Sequence, residues 1–236
     1  MVDPKDTTAI NMTISEILGN ALSGEKAVRQ DAESKLQQLA LGNFPEFLYN
    51  LATELADEGK PVKIRQMAAT YIKNSITVSS ELRETWTNKM DAAVKEQIKN
   101  LILSTLATKF KEVRAAAGLV IAGIVRVDLP LNEKWPTLVS SLSQSAYHEN
   151  INIRLAAIES LGYICEELTA KTIDATSVDS ILSALIQNLT NSIGEVEVVR
   201  SSLKAFFHTI KLAEKNFSRQ VNIPHSLTSN FNFRMS

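Results

Sequence analysis

The sequence predicts an all-α protein, a right-handed α-solenoid of about five antiparallel helix pairs. One observation is a short pattern that recurs five times: a β-branched residue, an arginine, a small residue three positions later and a large apolar residue four positions after that. A second is the spacing of the apolar side chains, which is typical of helices rather than strands. The recurring arginines are Arg29, Arg65, Arg114, Arg154 and Arg200. Only Leu203, three positions after Arg200, breaks the rule of the small residue.

The distances between these arginines indicate the kind of repeat. Successive arginines are 36, 49, 40 and 46 residues apart. This range brackets the length of HEAT and armadillo repeats, roughly 40–47 residues. No helix pair of such a repeat buries its apolar face alone, so stability comes from stacking of neighbours.

Two helices are predicted in each repeat, here called A and then B. The B helices carry the arginines and have one broad apolar stripe, as in Val113, Ala116, Ala117, Val120, Ile121 and Ile124. The A helices precede them with a similar stripe, as in Val94, Ile98, Leu101, Ile102 and Leu106. At the start of the second A helix, Asn43 is a predicted N-cap, with Glu46 three residues later.

We divide the chain into four parts. Residues 1–9 are a leader, 10–110 hold the first two repeats and the start of the third, and 111–217 hold the remaining repeats. Residues 218–236 are rich in Ser and Asn and lack a helical stripe, so we expect a non-repeat, disordered tail there. Between 77 and 91 we expect an extra short helix that contains Trp86.

Composition argues against several classes of function. The 25 basic and 26 acidic side chains give a net charge of −1, whereas nucleic-acid binders usually show a basic excess. No segment has the 18 or more apolar residues of a membrane span, and the polar N-terminus lacks the features of a secretory signal. The single cysteine, Cys165, fits a reducing compartment. We therefore expect a soluble intracellular protein that binds neither nucleic acid nor membrane.

No group of residues indicates catalysis. The three histidines, His148, His208 and His225, are too far apart in sequence for a metal-binding motif. Cys165 lies on an apolar stripe and is interpreted as a buried structural thiol. The acidic pair at Glu166 is interpreted as a solvated helix end. We predict that the chain is not an enzyme and needs no cofactor or metal.

The recurring arginines have two interpretations. They form either a ladder that grips acidic partners or a structural ladder, in which each side chain bonds a carboxylate or loop carbonyl of the adjacent repeat. We favour the structural ladder, because a residue tied to the repeat frame most simply serves that frame. Better candidates for binding are basic residues on B helices that do not recur: Lys35, Lys73, Arg126, Lys204 and Lys211.

Several short motifs, in the right order, resemble importin-β. They are QDAESKL at 30–36, NFPEFL at 43–48, VKIRQMAA at 62–69, YIKNS at 71–75, DLP at 128–130, WPTL at 135–138, LGYIC at 161–165 and ILSALIQ at 181–187. Over about residues 10–217, the chain is identified as the N-terminal segment of a member of the importin-β (karyopherin-β) family of nuclear transport receptors.

The resemblance implies two binding surfaces. The B helices of importin-β line a concave face whose first four repeats bind the GTPase Ran in its GTP state, and Ran displaces cargo in the nucleus. Lys35, Lys73 and Asn74 match positions on that face. The convex face of importin-β binds nucleoporins that carry phenylalanine–glycine repeats.

On the convex face, Leu182, Ser183 and Ile186 match one wall of a nucleoporin groove between the fifth and sixth A helices. The resemblance ends at Phe217, so only this half of the groove is expected. Importin-α or cargo would bind only if later repeats exist. A location in cytoplasm and nucleus, including the nuclear pore, is implied. The alternatives are a HEAT scaffold subunit of another complex, or a truncated importin-β product that folds but does not transport.

Overall fold

The computed structural model describes residues 12–192 and 194–220. The predicted leader lies outside them. Within these residues the chain consists of helices and connecting turns, with no strand. The helices are α1 Ile14–Ala21, α2 Lys26–Gly42, α3 Phe44–Ala56, α4 Val62–Thr77, α5 Ser80–Glu84, α6 Ala92–Ser104, α7 Lys111–Val127, α8 Leu131–Lys134, α9 Leu138–Ser145, α10 Ile151–Glu167, α11 Ala175–Asn191 and α12 Val196–Gln220.

Five A/B pairs make up the stack, which confirms the predicted α-solenoid. The A helices are α1, α3, α6, α9 and α11, and the B helices are α2, α4, α7, α10 and α12. From the second repeat onward each B helix packs on the next, so that α4, α7, α10 and α12 form a continuous layer.

The first repeat joins the stack differently. Helix α2 packs on α1 and α3, while α1 contacts α4. Between α2 and α4 a groove of about 390 Å³ remains open, called here the α2–α4 groove. The sequence pattern does not show this gap, because the first repeat has the same apolar positions as the others.

Helix starts follow their capping residues. Thr13 and Glu16 form a capping box at α1, in which each side chain bonds the backbone N–H of the other residue. At α3 the Asn43 side chain accepts a hydrogen bond from the backbone N–H of Glu46 at 3.4 Å. The predicted cap at Asn43 is therefore confirmed.

The segment after α4 contains the expected extra helix and a buried polar cluster. A π-helical turn at Thr85–Lys89 follows α5 and buries Trp86 completely. The indole N–H of Trp86 donates to Asp128 Oδ1 at 2.8 Å, and Lys99 Nζ lies 2.8 Å from Asp128 Oδ2. Lys99 also donates to the Lys134 carbonyl at 2.9 Å and lies 4.7 Å from the centre of the Trp135 ring. This Trp86 cluster (Trp86, Lys99, Asp128 and Trp135) joins the π-helical turn, α6 and the segment that follows α7.

Small residues set the close approach of B helices. A Cβ atom added at Gly162 of α10 would lie 3.2 Å from Ala205 Cβ and 3.3 Å from Ala205 Cα. On α7, a Cβ at Gly118 would come within 2.9 Å of Ser160 Oγ. The glycines inside these helices therefore serve packing between helices.

At the C-terminal side α12 continues to Gln220, so 218–220 are helical, unlike the predicted tail. The rest of that predicted tail, 221–236, lies outside the described residues. The division at residue 110 falls between α6 and α7, the two helices of the third repeat. No helix in the described part of the chain has the length and apolar character needed to cross a bilayer.

Candidate functional site

Two adjacent residues of α4, Lys73 and Asn74, line two separate openings beside this helix. Lys73 packs against α7, where a Cβ added at Gly123 would lie 3.0 Å from Lys73 Cγ. It lines a small pocket of about 150 Å³ together with Arg126 and Glu167. Asn74 is exposed and lines the α2–α4 groove. Because consecutive helix positions point about 100° apart, one turn of α4 serves both openings.

The α2–α4 groove has an apolar floor and an acidic rim. Leu36, Phe47 and Leu82 line its inner part, and Glu33 and Glu81 lie at its edges. No basic side chain is among its described lining residues. The groove therefore suits an apolar anchor, and its edges favour a basic neighbour.

Tyr71 lies in the wall of this groove, half-buried. Burial raises the pKa of its phenol, and the nearby Glu33 carboxylate raises that pKa further. The phenol therefore stays protonated at neutral pH and remains available as a hydrogen-bond donor.

The structure separates Lys35 from the two α4 residues. Its Nζ lies 2.7 Å from Asp31 Oδ2, one turn earlier on α2, and 3.7 Å from Met12 Sδ. Such an i,i+4 pair on a helix surface contributes only about 0.3–0.5 kcal/mol, so exchange for another acidic partner costs little. Lys35 is not among the lining residues of the α2–α4 groove.

Further along the B helices, a second pocket of about 400 Å³ lies between α10 and α12. Two cross-helix contacts border it: His208 Nε2 lies 3.0 Å from Glu166 Oε1, and Lys204 Nζ lies 5.6 Å from the centre of the Tyr163 ring. Burial raises the pKa of Tyr163, and Glu159 and Glu166 raise it further.

Glu166 and Glu167 make cross-helix side-chain contacts rather than forming only a solvated helix end. Glu167 Oε2 lies 3.8 Å from Arg126 Nε of α7, and Glu166 faces His208 of α12. Sequence reasoning missed Tyr163 and the two glutamates, although Arg126 and Lys204 were candidates. Tyr163, Glu166 and Glu167 are at positions i, i+3 and i+4 of α10, which places them on one side of that helix. This spacing is the signal that could have indicated them.

Within the arginine ladder, two members are buried in the frame. Arg65 is fully buried: it donates to the Leu55 carbonyl, to Thr108 Oγ1 of the next repeat and to Glu58 Oε1, at 2.8, 3.2 and 3.0 Å. Arg114 donates to the Thr108 carbonyl at 2.8 Å. Both side chains therefore stabilise loops, either of their own repeat or of the following one.

The other three arginines are less buried. Arg29 donates to the Ser23 carbonyl at 3.0 Å, and Arg154 pairs with Glu195 of the following repeat. Arg200 departs from the ladder: its side chain is 68% exposed and pairs with Glu197, one turn earlier on its own helix. Among the described residues, the expected bond to the adjacent repeat is present for Arg65 and Arg154. The bonds of Arg29 and Arg114 stay within their own repeat, so the predicted ladder is only partly formed.

On α11 the three residues of the predicted nucleoporin wall differ in exposure. Leu182 is buried, whereas Ser183 and Ile186 are exposed. Ile186 therefore offers an apolar side chain beside a small hydroxyl. In the described part of the chain, no cluster of His, Cys, Asp and Glu could hold a metal ion.

Comparison with known proteins identifies the family. The importin-beta N-terminal domain family matches residues 32–108. Importin subunit beta-1 of Arabidopsis thaliana is 32% identical over 215 residues, which cover 89% of this chain. The chain belongs to the importin-β family. A second relative, importin subunit beta-1 of Schizosaccharomyces pombe, is 27% identical over 215 residues and again covers 89% of this chain.

This importin-β family chain spans 24% of the length of the Arabidopsis relative and 25% of that of the S. pombe relative. Among solved structures, one that describes how Kap95p binding induces the switch loops of RanGDP to adopt the GTP-bound conformation has a TM-score of 0.79 and 25% identity. The match covers 89% of this chain and 25% of the chain in that solved structure. The Kap95:Nup1 complex has a TM-score of 0.77 at 26% identity, covering 89% and 26%.

Proposed function

We propose that this chain is a nuclear import receptor segment that binds Ran in its GTP state on the concave surface of its B helices. The observation that carries the proposal is the placement of Lys73 and Asn74, which line the two separate openings beside α4. Binding of the fold relative Kap95p changes the conformation of the switch loops of RanGDP, and that structure matches 89% of this chain.

The chemistry of the two openings suits a protein loop. Among the described residues Lys73 forms no salt bridge, so its ammonium group is available for an acidic group of the partner. The α2–α4 groove offers apolar surface for a large side chain, whose burial contributes about 1.5–3 kcal/mol. Charge at the first opening would set encounter rate and specificity, and the second would add affinity.

Nucleoporins with phenylalanine–glycine repeats are the second proposed partner. Exposed Ile186, with Ser183 beside it, would provide one wall for a phenylalanine ring on the convex face. The Kap95:Nup1 complex, a solved relative of this chain, supports a nucleoporin as partner. This wall by itself is expected to bind only weakly. Importin-α and cargo are proposed only for a chain that carries later repeats, and a location in cytoplasm and nucleus follows from the proposed function.

Titration calorimetry against Ran loaded with a non-hydrolysable GTP analogue, and separately with GDP, tests the main proposal. We expect tighter binding of the GTP form. Binding of the GDP form is expected to be weaker rather than absent, because Kap95p itself binds RanGDP. A folded chain that binds neither form would contradict the proposal and favour a HEAT scaffold of another complex or a non-transporting product.

Substitution of Lys73 tests the assignment of the surface. We expect Lys73→Ala to weaken Ran binding by about tenfold, equivalent to about 1.4 kcal/mol. Lys63→Ala is the matched control, because Lys63 is an exposed lysine of the same helix that lines neither opening. Equal losses in both variants, or none in either, would show that Ran does not bind at these openings.

A further inference from the structure

The α2–α4 groove lies between two helix faces that line one opening instead of packing together. Along α2 the lining residues are at positions i, i+3, i+4, i+7 and i+8 counted from Glu33, and along α4 at i, i+3, i+4 and i+7 counted from Tyr71. Such spacing places each set on one face of its helix. Later B helices pack directly on their neighbours, so this groove is an unfilled contact between two helices.

Large apolar side chains are exposed at the end of the groove where α2 and α4 both terminate. Val78 is 74% exposed and Leu41 is 56% exposed, while Leu36 and Phe47 are buried in the floor. Leu82 lines the same end of the groove. Both walls and the floor come from the first two repeats, so the opening lies inside the stack. Its volume of about 390 Å³ falls within the range of about 300–1,000 Å³ that is typical of binding clefts.

The rim of the groove carries negative charge that the chain does not neutralise. Glu33 and Glu81 are exposed, and neither forms a salt bridge with another described residue. The basic residues that neighbour them along the chain bond other groups. These are Arg29, Lys35 and Arg83, which donate to the Ser23 carbonyl, to Asp31 Oδ2 and to the Thr77 carbonyl at 3.0, 2.7 and 2.6 Å. Lys73 of α4 lines the separate pocket beside α7.

Uncharged polar side chains lie between the apolar floor and the acidic rim. Gln37, Asn74 and Ser75 line the groove, and the protonated phenol of Tyr71 is a further hydrogen-bond donor. A segment of protein chain carries a backbone donor and acceptor at nearly every residue, which amide and hydroxyl groups can satisfy. These side chains therefore suit a peptide segment better than a purely apolar molecule.

We propose that the α2–α4 groove binds a segment of another protein in which one or two large apolar residues are flanked by Lys or Arg. The apolar residues would cover Leu41 and Val78, and the flanking cations would lie against Glu33 and Glu81. This inference rests on the proposed function, in which the groove is the second opening of the partner surface, and adds the chemistry of the segment that enters it. A second copy of this chain is disfavoured, because a symmetric contact would bring the unpaired glutamates of both copies together.

Three designed peptides test the inference with the full chain. All are about 12 residues long: one has a central Leu-Phe pair flanked by Lys, the second has the same pair flanked by Glu, and the third has Lys flanks around a Ser-Ser pair. By fluorescence anisotropy we expect the first to bind at least about tenfold more tightly than either of the others. Its advantage over the second peptide should shrink as salt is added, because exposed charges are screened.

Matched variants locate the binding. Val78→Ser should weaken binding of the first peptide by about fivefold, whereas Val196→Ser, at a valine that is 76% exposed on α12, should leave it unchanged. Glu33→Lys with Glu81→Lys should reverse the preference between the first two peptides. The control is Glu96→Lys with Glu133→Lys, at two exposed glutamates outside the groove, which should keep the preference.

The outcomes separate this inference from the proposed function. Equal binding of the peptides with Lys and Glu flanks, equal effects of the two Ser variants, or absence of peptide binding would overturn the inference, even if the chain binds Ran. Binding of the first peptide by a chain that does not bind Ran would support the inference and contradict the proposed function. Dimerisation at low micromolar concentration that Val78→Ser abolishes would assign the groove to a second copy of the chain instead.

Discussion

Removal of the Asp128 carboxylate is expected to destabilise the protein strongly. Asp128 and Lys99 are each about 4% exposed, and the carboxylate also accepts the Trp86 indole N–H. Asp128→Ala would leave the Lys99 ammonium buried without its counter-ion and the indole N–H without an acceptor. Breaking a buried ion pair from one side typically costs about 3–5 kcal/mol.

Other contacts of Lys99 limit this loss. Its bond to the Lys134 carbonyl and its position over the Trp135 ring remain in the variant. We therefore expect about 3 kcal/mol rather than a sum of separate penalties, which corresponds to a fall in Tm of about 10 °C for a chain of this size.

Urea unfolding followed by circular dichroism and by the fluorescence of Trp86 and Trp135 measures this loss. Both indoles are buried, at 0% and 2% exposure, so their emission reports on the cluster itself. Asp179→Ala, at an exposed position of α11, is the control and should change stability by less than about 0.5 kcal/mol.

A double substitution separates the buried charge from the shape of the site. In Lys99→Met with Asp128→Asn, no buried charge remains and the Asn oxygen can still accept the Trp86 N–H. We expect the double variant to be more stable than Asp128→Ala. A loss below about 1 kcal/mol for Asp128→Ala would refute the buried ion pair.

Three further substitutions or conditions probe the stack. Gly162→Ala should cost about 1–3 kcal/mol in thermal unfolding, because its new methyl group meets backbone of α12, whereas Gly42→Ala, with no atom within 4 Å, should be neutral or stabilising. Arg65→Ala should lower the free energy of unfolding in urea by about 2–4 kcal/mol, because three hydrogen bonds of a fully buried guanidinium are lost. A change below about 0.5 kcal/mol would contradict its structural role. Burial raises the pKa of the Cys165 thiol from 9.0 to about 11. The folded state therefore holds its proton more tightly, so stability should fall as pH rises from 9 to 11, and an alkylating reagent at pH 8 should react with Cys165 only in denaturant; rapid reaction in the native state would contradict this burial.

Periodicity was sufficient to predict the helix pairs and their order, because each repeat carries its own apolar stripe. It could not predict the Trp86 cluster, since Trp86 and Asp128 lie 42 residues apart and neither residue recurs in other repeats. It also missed the α2–α4 groove, because the angle between layers depends on how side chains of several helices fit together.

For the site, the sequence and its family resemblance indicated candidate residues but not where these residues lie relative to one another. Lys73 and Asn74 line separate openings, and Lys35 lies apart from both. The fifth repeat shows the limit of the pattern most clearly. Its deviation at Leu203 coincides with exposure of both Leu203 and Phe207, whereas the matching positions of the four earlier repeats are buried.

The stacking of layers on their immediate neighbours also has a consequence for synthesis of the chain. Four side-chain bonds between repeats, those of Arg65 to Thr108, Trp86 to Asp128, Ser201 to Glu159 and Thr209 to Cys165, join residues 42 to 44 positions apart. Each layer therefore meets its partners about one repeat after it leaves the ribosome. Native contacts of the N-terminal layers can form before α12 is translated, so folding can proceed in step with elongation.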